Sequence, residues 1–350
     1  MSRPDGVDRL VKAERVRRLL APGETLTLTS PTAVSWYLDG SRAQVGPAGD
    51  PVLAVVVDGT GERVVAFANE VPRLRAEELP DGIRVTPVPW DLPLAAALPH
   101  GAGVRSEAEF LPELRAARTP LLPAETRRFR ELGRDAAEAL TEAAYALDPT
   151  GSENEAAARV AAALHRRGVE PLVVLVGGRS RAVHRHPTPT SAPIGDRVML
   201  VACGRRNGLV ANLTRWVRWG EADAAESDAM DRIRLVEAAF LDATRPGATL
   251  AEVLAAGAVA YREHGFGPRE WERHHQGGVA GYAGRDPRAT TATDERIVAG
   301  QAFAWNPTAP GAKAEDTVLL GDDGIEILTV DPAWPAVEVA GRARPTELVR

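Results

Sequence analysis

The segment VMLVACGRRNGLVANLTR, residues 198–215, constrains the fold more than any other part of the sequence. Its two halves are rich in apolar residues and are separated by Asn207-Gly208, a dipeptide that strongly favours a two-residue β-hairpin turn. The segment therefore predicts two antiparallel strands joined at residues 207–208. The inward positions of such a hairpin are where an enzyme would place carboxylates, yet these eighteen residues include no Asp or Glu.

The composition is that of a globular protein large enough for two domains, with 350 residues, 44% hydrophobic content and a mean hydropathy of −0.18. A net charge of −6 argues against nucleic-acid binding, because neutralising phosphates requires a basic face. Cys203 is the single cysteine and has no partner for an intrachain disulfide, so we interpret it as a packing residue. The sequence has no apolar leader and no apolar run of about 18–20 residues. We therefore expect a cytoplasmic protein that does not bind membranes.

The order of predicted helices and strands divides the chain into residues 1–120 and residues 121–350. Strands and helices alternate in the first part, which is typical of a small α/β domain. The second part begins with an amphipathic helix over residues 124–147, and the capping boxes SENE and TLAE each open a further helix. Long helices combined with antiparallel strands predict an α+β domain for this second part.

Six motifs of the second part follow one another in a characteristic order and spacing. In the first, HRHPTPTSAPIGD, His184 stands twelve positions before Asp196. The other five are, in chain order, NGLVANLTR, RPGATLAEV, HHQGG, GQAFAWNP and KAEDTVLLGDDGIEILT. Together they resemble the motifs of the creatinase, prolidase and aminopeptidase P superfamily over residues 8–345. The resemblance implies an α+β pita-bread domain preceded by a smaller N-terminal α/β domain of the creatinase type.

The resemblance also locates five positions at which metal-dependent members of the superfamily hold two divalent ions, with two Asp, one His and two Glu. The residues at those positions are Val201, Asn212, Gly278, Asn306 and Glu315. Two divalent ions need several anionic oxygens to offset their four positive charges, and only Glu315 supplies one. We therefore expect neither a metal site nor a cofactor.

The segment HHQGGVAGYAGRD is similar to the corresponding segment of creatinase, which has this fold and hydrolyses a C–N bond without a metal. The resemblance implies that His184 is the general base and acid, and that His274 and Glu315 orient the amine or the attacking water. Arg285 falls on the carboxylate-binding arginine of creatinase. A planar guanidinium grips a carboxylate with two hydrogen bonds, so a small substrate bearing a carboxylate is implied.

Further substrate contacts are expected from Thr214, Asn212 and Asn306, whose neutral side chains replace carboxylates of the family. Thr214 corresponds to a substrate-holding glutamate of creatinase, which argues against creatine itself as the substrate. The resemblance implies a homodimer in which the partner's N-terminal domain completes the pocket. Arg42 is the candidate for this contact, and the neighbouring WY pair at positions 36 and 37 is interpreted as core.

Each of the charged candidates also has a purely structural interpretation. His184 could lie on a solvated turn, and Arg285 could form an internal ion pair with Asp286 or Glu315. Glu315 could be held by Lys313, which lies two residues away and on the same face of a regular strand.

Several functions remain open at this point. The leading hypothesis is a metal-independent hydrolase acting on a C–N bond of a small carboxylate-bearing compound. The alternatives are a non-catalytic module that binds a peptide or partner protein, an Xaa-Pro aminopeptidase or dipeptidase, and a biosynthetic cyclase or isomerase. A pocket lined by His184, His274 and Arg285 would favour an enzyme, whereas a cavity filled by Trp305 and Tyr282 would favour the binding module.

Overall fold

The computed structural model describes residues 6–350, and the chain divides into two compact units. The first unit ends at Thr126 and also includes Asn207–Leu209, so its end lies slightly beyond the predicted residue 120. The second unit comprises Arg127–Arg206 and Val210–Arg350. Within residues 6–350, no helix has both the length and the apolar character needed to cross a membrane.

The N-terminal unit is built around a five-stranded mixed sheet with the strand order β4, β3, β2, β1, β5. Its antiparallel core pairs are β1 with β2 and β2 with β3, and both edge strands are parallel to their neighbours. The elements are α1 (Arg9–Arg17), β1 (Thr25–Leu28), α2 (Pro31–Tyr37), β2 (Leu53–Asp58), β3 (Glu62–Phe67), α3 (Val71–Arg73), a π turn (Leu74–Glu78), β4 (Arg84–Val88), a 3₁₀ turn (Leu94–Ala97), β5 (Val104–Ser106), a 3₁₀ turn (Glu107–Phe110) and α4 (Leu111–Arg118).

The segment expected to complete a partner's pocket, residues 36–42, lies in this unit. Trp36 and Tyr37 are fully buried in the unit's core, in agreement with the interpretation given to them. The guanidinium of Arg42 forms ion pairs with Glu77 and Glu78 of the same unit. Arg42 therefore already has acidic partners within its own unit, and its contact to a partner's pocket stays a prediction.

The C-terminal unit combines long helices with two four-stranded sheets. Its elements, together with α5, which begins at the end of the first unit, are α5 (Pro123–Tyr145), α6 (Glu153–Arg166), β6 (Glu170–Gly178), a 3₁₀ turn (Arg179–Arg181), β7 (Arg197–Arg206), β8 (Leu209–Arg218), α7 (Ala224–Ala243), α8 (Leu250–Glu263), a 3₁₀ turn (Glu270–Arg273), β9 (Gly277–Ala280), β10 (Ala302–Trp305), β11 (Thr308–Ala309), β12 (Ala312–Lys313), β13 (Asp316–Gly321), β14 (Gly324–Ile327), β15 (Ala336–Val339), β16 (Arg342–Pro345) and β17 (Leu348–Val349).

The helix starts follow the local capping signals of the sequence. Ser152 and Glu155 form a complete capping box at the start of α6, and Thr249 and Glu252 form another at the start of α8. The helix predicted over residues 124–147 is α5, whose bounds differ by one or two residues from the prediction.

The predicted hairpin is confirmed. Strands β7 and β8 lie side by side in a sheet with the order β17, β8, β7, β6, and the second sheet has the order β14, β13, β10, β9. The connecting residues Asn207 and Gly208 have φ values of 49° and 75°. Positive φ at both central residues is what a type I′ turn requires, and Asn-Gly adopts it at little cost.

The core of this unit lies between α7, α8 and the second sheet. The ring of Phe240 on α7 stacks on Trp305 of β10 with centroids 5.1 Å apart. A Cβ atom on Gly257 of α8 would lie only 2.0 Å from Cζ of Phe240. Glycine at this position is therefore what allows α8 to approach α7 so closely. Trp305 is a buried core residue that donates a hydrogen bond to Thr244. Tyr282, the other side chain whose burial would favour a binding module, is buried as well.

Candidate functional site

Strand β8 of the hairpin lies against the chain that enters β13, and this contact forms the centre of the candidate site. The backbone N–H of Asn212 donates to Oγ1 of Thr317 at 2.7 Å, and that hydroxyl donates to the backbone carbonyl of Asn212 at 3.0 Å. The Thr214 amide donates to the Glu315 carbonyl at 3.0 Å. The side chains of β8 thus meet those of residues 313–317 inside the unit.

Glu315 is the centre of a buried ion triad that it forms with Lys313 and Arg285. Its Oε1 accepts from Nη2 of Arg285 at 2.8 Å, and its Oε2 accepts from Nζ of Lys313 at 2.9 Å. The Thr214 hydroxyl donates to Oε2 at 2.7 Å. The three charged side chains keep at most 8% of their surface exposed. Two cations on one carboxylate give the ion triad a net charge of +1.

The ion triad fixes the protonation state of Glu315. Burial by itself would raise the pKa of this carboxyl, but the charges of Lys313 and Arg285 and the hydrogen bond from Thr214 outweigh it and lower the pKa to about 2. Glu315 is therefore an anion at neutral pH and does not serve as a proton donor.

Arg285 is the residue expected to clamp a substrate carboxylate. In the structure its Nη2 is bound to Glu315, and its Nη1 donates to the carbonyl of Gly284 at 2.6 Å. The ion pair with Glu315 is the structural alternative considered for this residue. The Nε atom of Arg285 is buried and has no hydrogen-bond partner in residues 6–350, so one N–H remains for an incoming acceptor.

Three imidazoles, those of His186, His274 and His275, converge beside the ion triad and are called the imidazole cluster below. The Nε2 atoms of His186 and His274 are 3.0 Å apart. The rings of His274 and His275 stack with centroids 4.3 Å apart, and one ring nitrogen from each of the three residues lies within 4.8 Å of the other two. His274 is buried, His275 is half-buried and His186 is exposed.

All three imidazoles of the cluster are held in the neutral form. Burial, followed by the charge of Lys313, lowers the pKa of His274 to about 2. Burial and the charge of Arg285 lower the pKa of His275 to about 4. Burial lowers the pKa of His186 as well, and Lys313 adds to the effect. The imidazole cluster and the ion triad are therefore close enough to form one electrostatic unit.

Hydrogen bonds from three different segments hold the imidazole cluster in place. Nε2 of Gln276 donates to the His274 carbonyl at 2.8 Å, and Oε1 of Gln276 accepts from the buried hydroxyl of Tyr261 at 2.9 Å. Arg185, which precedes His186, forms an ion pair with Glu270. These partners lie up to 85 positions apart in sequence, and sequence reasoning did not identify them.

The structure does not bring His184 to the cluster. Its side chain is exposed and has no hydrogen-bond partner among residues 6–350, whereas His186, two residues further on, contacts His274. His275 was also missed, although the doublet His274-His275 was a visible signal. Burial raises the pKa of the Cys203 thiol to about 11, which is consistent with a packing role and not with a thiolate nucleophile.

The two asparagines that replace family carboxylates differ in their pairing. Nδ2 of Asn212 donates to the Val210 carbonyl at 3.3 Å, so this side chain is partly engaged with its own strand. Oδ1 of Asn306 is buried and has no partner in the described part of the chain. Asn306 therefore has a free acceptor for a ligand N–H group.

The residues at the five family positions do not fit a dinuclear metal centre. Val201 has no donor atom, and Glu315 is already bound by the ion triad. Gly278 occupies the position of the histidine ligand with φ of 151°, and a Cβ atom there would lie 2.3 Å from the Pro287 carbonyl oxygen. The backbone at Gly278 has no room for any side chain, so the loss of this ligand is built into the path of the chain.

Comparison with known proteins identifies the family to which the site belongs. The sequence matches the metallopeptidase family M24 over residues 127–322, more than half of the chain, and the protein is a member of that family. No curated protein gives a significant match.

Solved structures with the same fold cover nearly the whole chain. The prolidase from Pyrococcus horikoshii OT3 has a TM-score of 0.75 at 16% identity and covers 91% of this chain and 98% of its own. Dipeptidase PepE from Mycobacterium ulcerans has a TM-score of 0.75 at 20% identity, with coverages of 99% and 98%. The Xaa-Pro dipeptidase from Bacillus anthracis has a TM-score of 0.75 at 14% identity, with coverages of 98% and 100%.

These matches confirm the superfamily and the α+β pita-bread fold inferred from the motifs. At such low identities the solved structures establish the fold alone. The chemistry of this chain has to be argued from its own side chains, which differ from the family pattern at four of the five ligand positions.

Proposed function

We propose that this protein is a hydrolase that cleaves a C–N bond of a small carboxylate-bearing compound without a dinuclear metal centre. The observation that supports the proposal is the ion triad. The one carboxylate left at the family's metal-ligand positions has both oxygens bound to cations of the protein itself. Lys313 and Arg285 supply the fixed positive charge for which other members of the superfamily need metal ions.

The charge of the site favours an anionic substrate. The ion triad has a net charge of +1, and the basic side chain of Arg288 is close enough to influence the pKa of His275. A carboxylate that accepts a hydrogen bond from the unpartnered Nε of Arg285 would neutralise this charge in a partly buried setting. Oδ1 of Asn306 is the matching acceptor for an amide, urea or guanidine N–H of the same ligand.

Proton transfer is assigned to His186 in place of His184. Its imidazole is neutral, solvent-accessible and in hydrogen-bond contact with His274. His274, whose pKa of about 2 makes it a weak base, is a positioning residue that orients the His186 ring. In this scheme His186 takes a proton from water, the hydroxide adds to the carbon of the C–N bond, and the same imidazole returns the proton to the departing nitrogen.

A non-catalytic binding module is the second candidate function. The observation that favours it is the commitment of Arg285 to Glu315, because a guanidinium that is already paired is less available as a substrate clamp. The strongly lowered pKa values of His274 and His275 point the same way, since efficient general bases have pKa values near the working pH.

The proposal is tested by assaying the untagged chain against N-acyl, ureido and guanidino carboxylates, with Xaa-Pro dipeptides as competing substrates. We expect turnover of one non-peptide class that EDTA does not abolish. His186→Ala should lower kcat by about 10²–10⁴-fold, the usual contribution of a general base, whereas His184→Ala should change it little. Cleavage of Xaa-Pro dipeptides that EDTA abolishes and a divalent ion restores would overturn the proposal. A carboxylate ligand that raises the Tm through Arg285 without being turned over would establish the binding module instead.

A further inference from the structure

The imidazole cluster has more nitrogen atoms than its hydrogen bonds use. One nitrogen of each ring lies within 4.8 Å of the other two, and the Nδ1 atoms of His274 and His275 are both buried without a partner among residues 6–350. His274 keeps only 9% of its surface exposed. Buried polar atoms are paired in most proteins, so the two unpaired Nδ1 atoms show that the cluster has hydrogen-bonding capacity left over. The approach of one nitrogen from each ring gives a ligand a common place to bind.

The contact between His186 and His274 joins two ring nitrogens of the same kind. Two Nε2 atoms 3.0 Å apart form a hydrogen bond only if one ring is protonated there and the other presents a lone pair. An ion between the rings would replace this contact, and each imidazole would then offer a lone pair to the same centre. The neutral form of imidazole is the one that binds metals, and all three rings are neutral at pH 7.

We propose that His186, His274 and His275 form a binding site for one divalent transition-metal ion of the Zn²⁺, Co²⁺ or Cu²⁺ type, separate from the family's dinuclear centre. The donor set decides the class of ion. Three imidazoles without a carboxylate suit late first-row ions, whereas Mg²⁺ and Ca²⁺ require oxygen ligands. A fourth coordination position would be left for water or another small ligand.

The distances are compatible with such a site after small side-chain rotations. Metal–nitrogen bonds of about 2.0–2.1 Å in a tetrahedral arrangement place the nitrogens about 3.3 Å apart. The pair of His186 and His274 is already at 3.0 Å, and the remaining separations lie within 4.8 Å. His186 is exposed, so its ring has room to adjust, while Gln276 holds the backbone of His274.

The surrounding charges limit the strength of binding. Lys313, Arg285 and Arg288 act on the imidazoles as positive neighbours, and Glu315 is the negative one. This excess of positive charge opposes a divalent cation, so the ion is expected to exchange and to be removable by EDTA. The excess of positive charge disfavours Mg²⁺ and Ca²⁺ further, because the binding of these ions is mostly electrostatic.

The inference does not depend on the proposed hydrolase activity, but the two interact at His186. An imidazole that coordinates an ion has no lone pair left to accept a proton from water. Metal-bound and proton-transferring states of His186 are therefore alternatives, and a bound ion would inhibit the reaction proposed above.

The test is a titration of the untagged, metal-free full chain with Zn²⁺ and Co²⁺. We expect one ion per chain by calorimetry and visible ligand-field absorption when Co²⁺ binds. His186→Ala and His275→Ala should each weaken binding by at least about 100-fold, whereas the matched control His184→Ala, two residues away in the same loop, should bind like the wild type. Mg²⁺ should give no saturable binding.

Thermal unfolding of each variant without metal provides the control for folding. His186 is exposed, so its replacement by Ala should leave the Tm nearly unchanged and make any loss of binding interpretable. Absence of stoichiometric Zn²⁺ and Co²⁺ binding, or equal losses in the His184 and His186 variants, would overturn the site. Stoichiometric binding without any hydrolysis would overturn only the proposed function, and hydrolysis without metal binding would overturn only the metal site.

Discussion

The ion triad and the imidazole cluster are neighbours in one domain, but they differ in how completely their polar atoms are paired. Both oxygens of Glu315 accept hydrogen bonds, from Arg285 on one side and from Lys313 and Thr214 on the other. The three rings of the imidazole cluster share one hydrogen bond, and two of their nitrogens are buried without partners in residues 6–350.

This difference separates a structural role from a ligand-binding role. A carboxylate that is saturated by its own protein stabilises the fold and has little capacity left for a ligand. An unsaturated set of buried nitrogens carries a desolvation cost that a ligand removes. In this member of the M24 family the one carboxylate left at the metal-ligand positions is paired within the protein, and the unpaired nitrogens belong to the histidines for which we propose ligand binding.

The largest expected effect comes from breaking the ion triad. Glu315→Ala leaves Lys313 and Arg285 buried without their shared anion, and removing one partner of a buried ion pair costs about 3–5 kcal/mol of the free energy of unfolding. Urea denaturation measures this loss.

The matched control is Glu326→Ala, which removes the ion pair with Arg130 on the exposed face of the same unit. Both of these side chains keep at least 42% of their surface exposed, so the expected loss is at most about 1 kcal/mol. Equal losses for the two variants would show that the ion triad is not the stabilising element that its burial implies.

The second effect concerns the position at which the family has a histidine ligand. Gly278→Ala places a Cβ atom 2.3 Å from the Pro287 carbonyl oxygen, and such overpacking costs about 1–3 kcal/mol. Gly281→Ala is the control, because Gly281 has a similar φ of 155° but no atom within 4 Å of its Cβ position. The difference in the free energy of unfolding between the two variants measures the cost of crowding, because the backbone strain is similar in both. If Gly278→Ala is no worse than Gly281→Ala, the backbone at residue 278 is able to open, and the histidine ligand could be restored there.

The third effect is the pH dependence of the free energy of unfolding. The imidazole cluster and the ion triad contribute to it in different pH ranges. His274 and His275 have pKa values of about 2 and about 4 in the folded protein, against about 6.5 when unfolded. Below about pH 6.5 the unfolded chain therefore binds more protons, and the free energy of unfolding falls by at most about 1.4 kcal/mol per pH unit for each group. Glu315, with a folded pKa of about 2, loses its contribution only below the unfolded value of about 4.3.

Urea midpoints measured on the metal-free chain between pH 7 and 5 check this assignment. His275→Gln should flatten the slope in that range, whereas Glu315→Gln should lower the whole curve without flattening it. An unchanged slope in the His275 variant would mean that this imidazole binds the same number of protons in the folded and the unfolded state, so that folding does not lower its pKa.

Residues whose structure depends on near neighbours were predictable from the sequence, and residues placed by distant contacts were not. The Asn207-Gly208 turn and the capping boxes need only a few adjacent residues, and the pairing of Lys313 with Glu315 spans two positions. That His186 and not His184 contacts His274 involves residues 88 positions apart in sequence, which no local pattern specifies. The spacing to Asp196 favours His184, whereas the residue in contact with His274 in the structure is His186.

The same reasoning explains why the fold was predictable and the chemistry only in part. The order of the motifs, hairpin first and the KAEDTVLL segment last, is sufficient for the pita-bread fold. The sequence is compatible with two partners for Arg285, Glu315 or a substrate, because a guanidinium binds an internal and an external carboxylate equally well. In the structure Arg285 binds Glu315. Only the position of the side chain decides between them.

The smallest expected effect on stability, and the sharpest on binding, belongs to Asn306. Its unpartnered Oδ1 contributes no hydrogen bond to the free protein, so Asn306→Ala should change the free energy of unfolding by no more than about 1 kcal/mol. If a substrate N–H donates to this oxygen, the same variant should weaken substrate binding by about tenfold, the value of roughly one hydrogen bond. Asn212→Ala is the control, because the side-chain Nδ2 of Asn212 already donates to the Val210 carbonyl. This side chain should therefore contribute less to ligand binding. Thermal shifts with and without a bound carboxylate measure both quantities in one experiment. A ligand-induced shift that is unchanged in the Asn306 variant would mean that this acceptor faces an internal water, and that ligand recognition depends on Arg285 and the imidazole cluster alone.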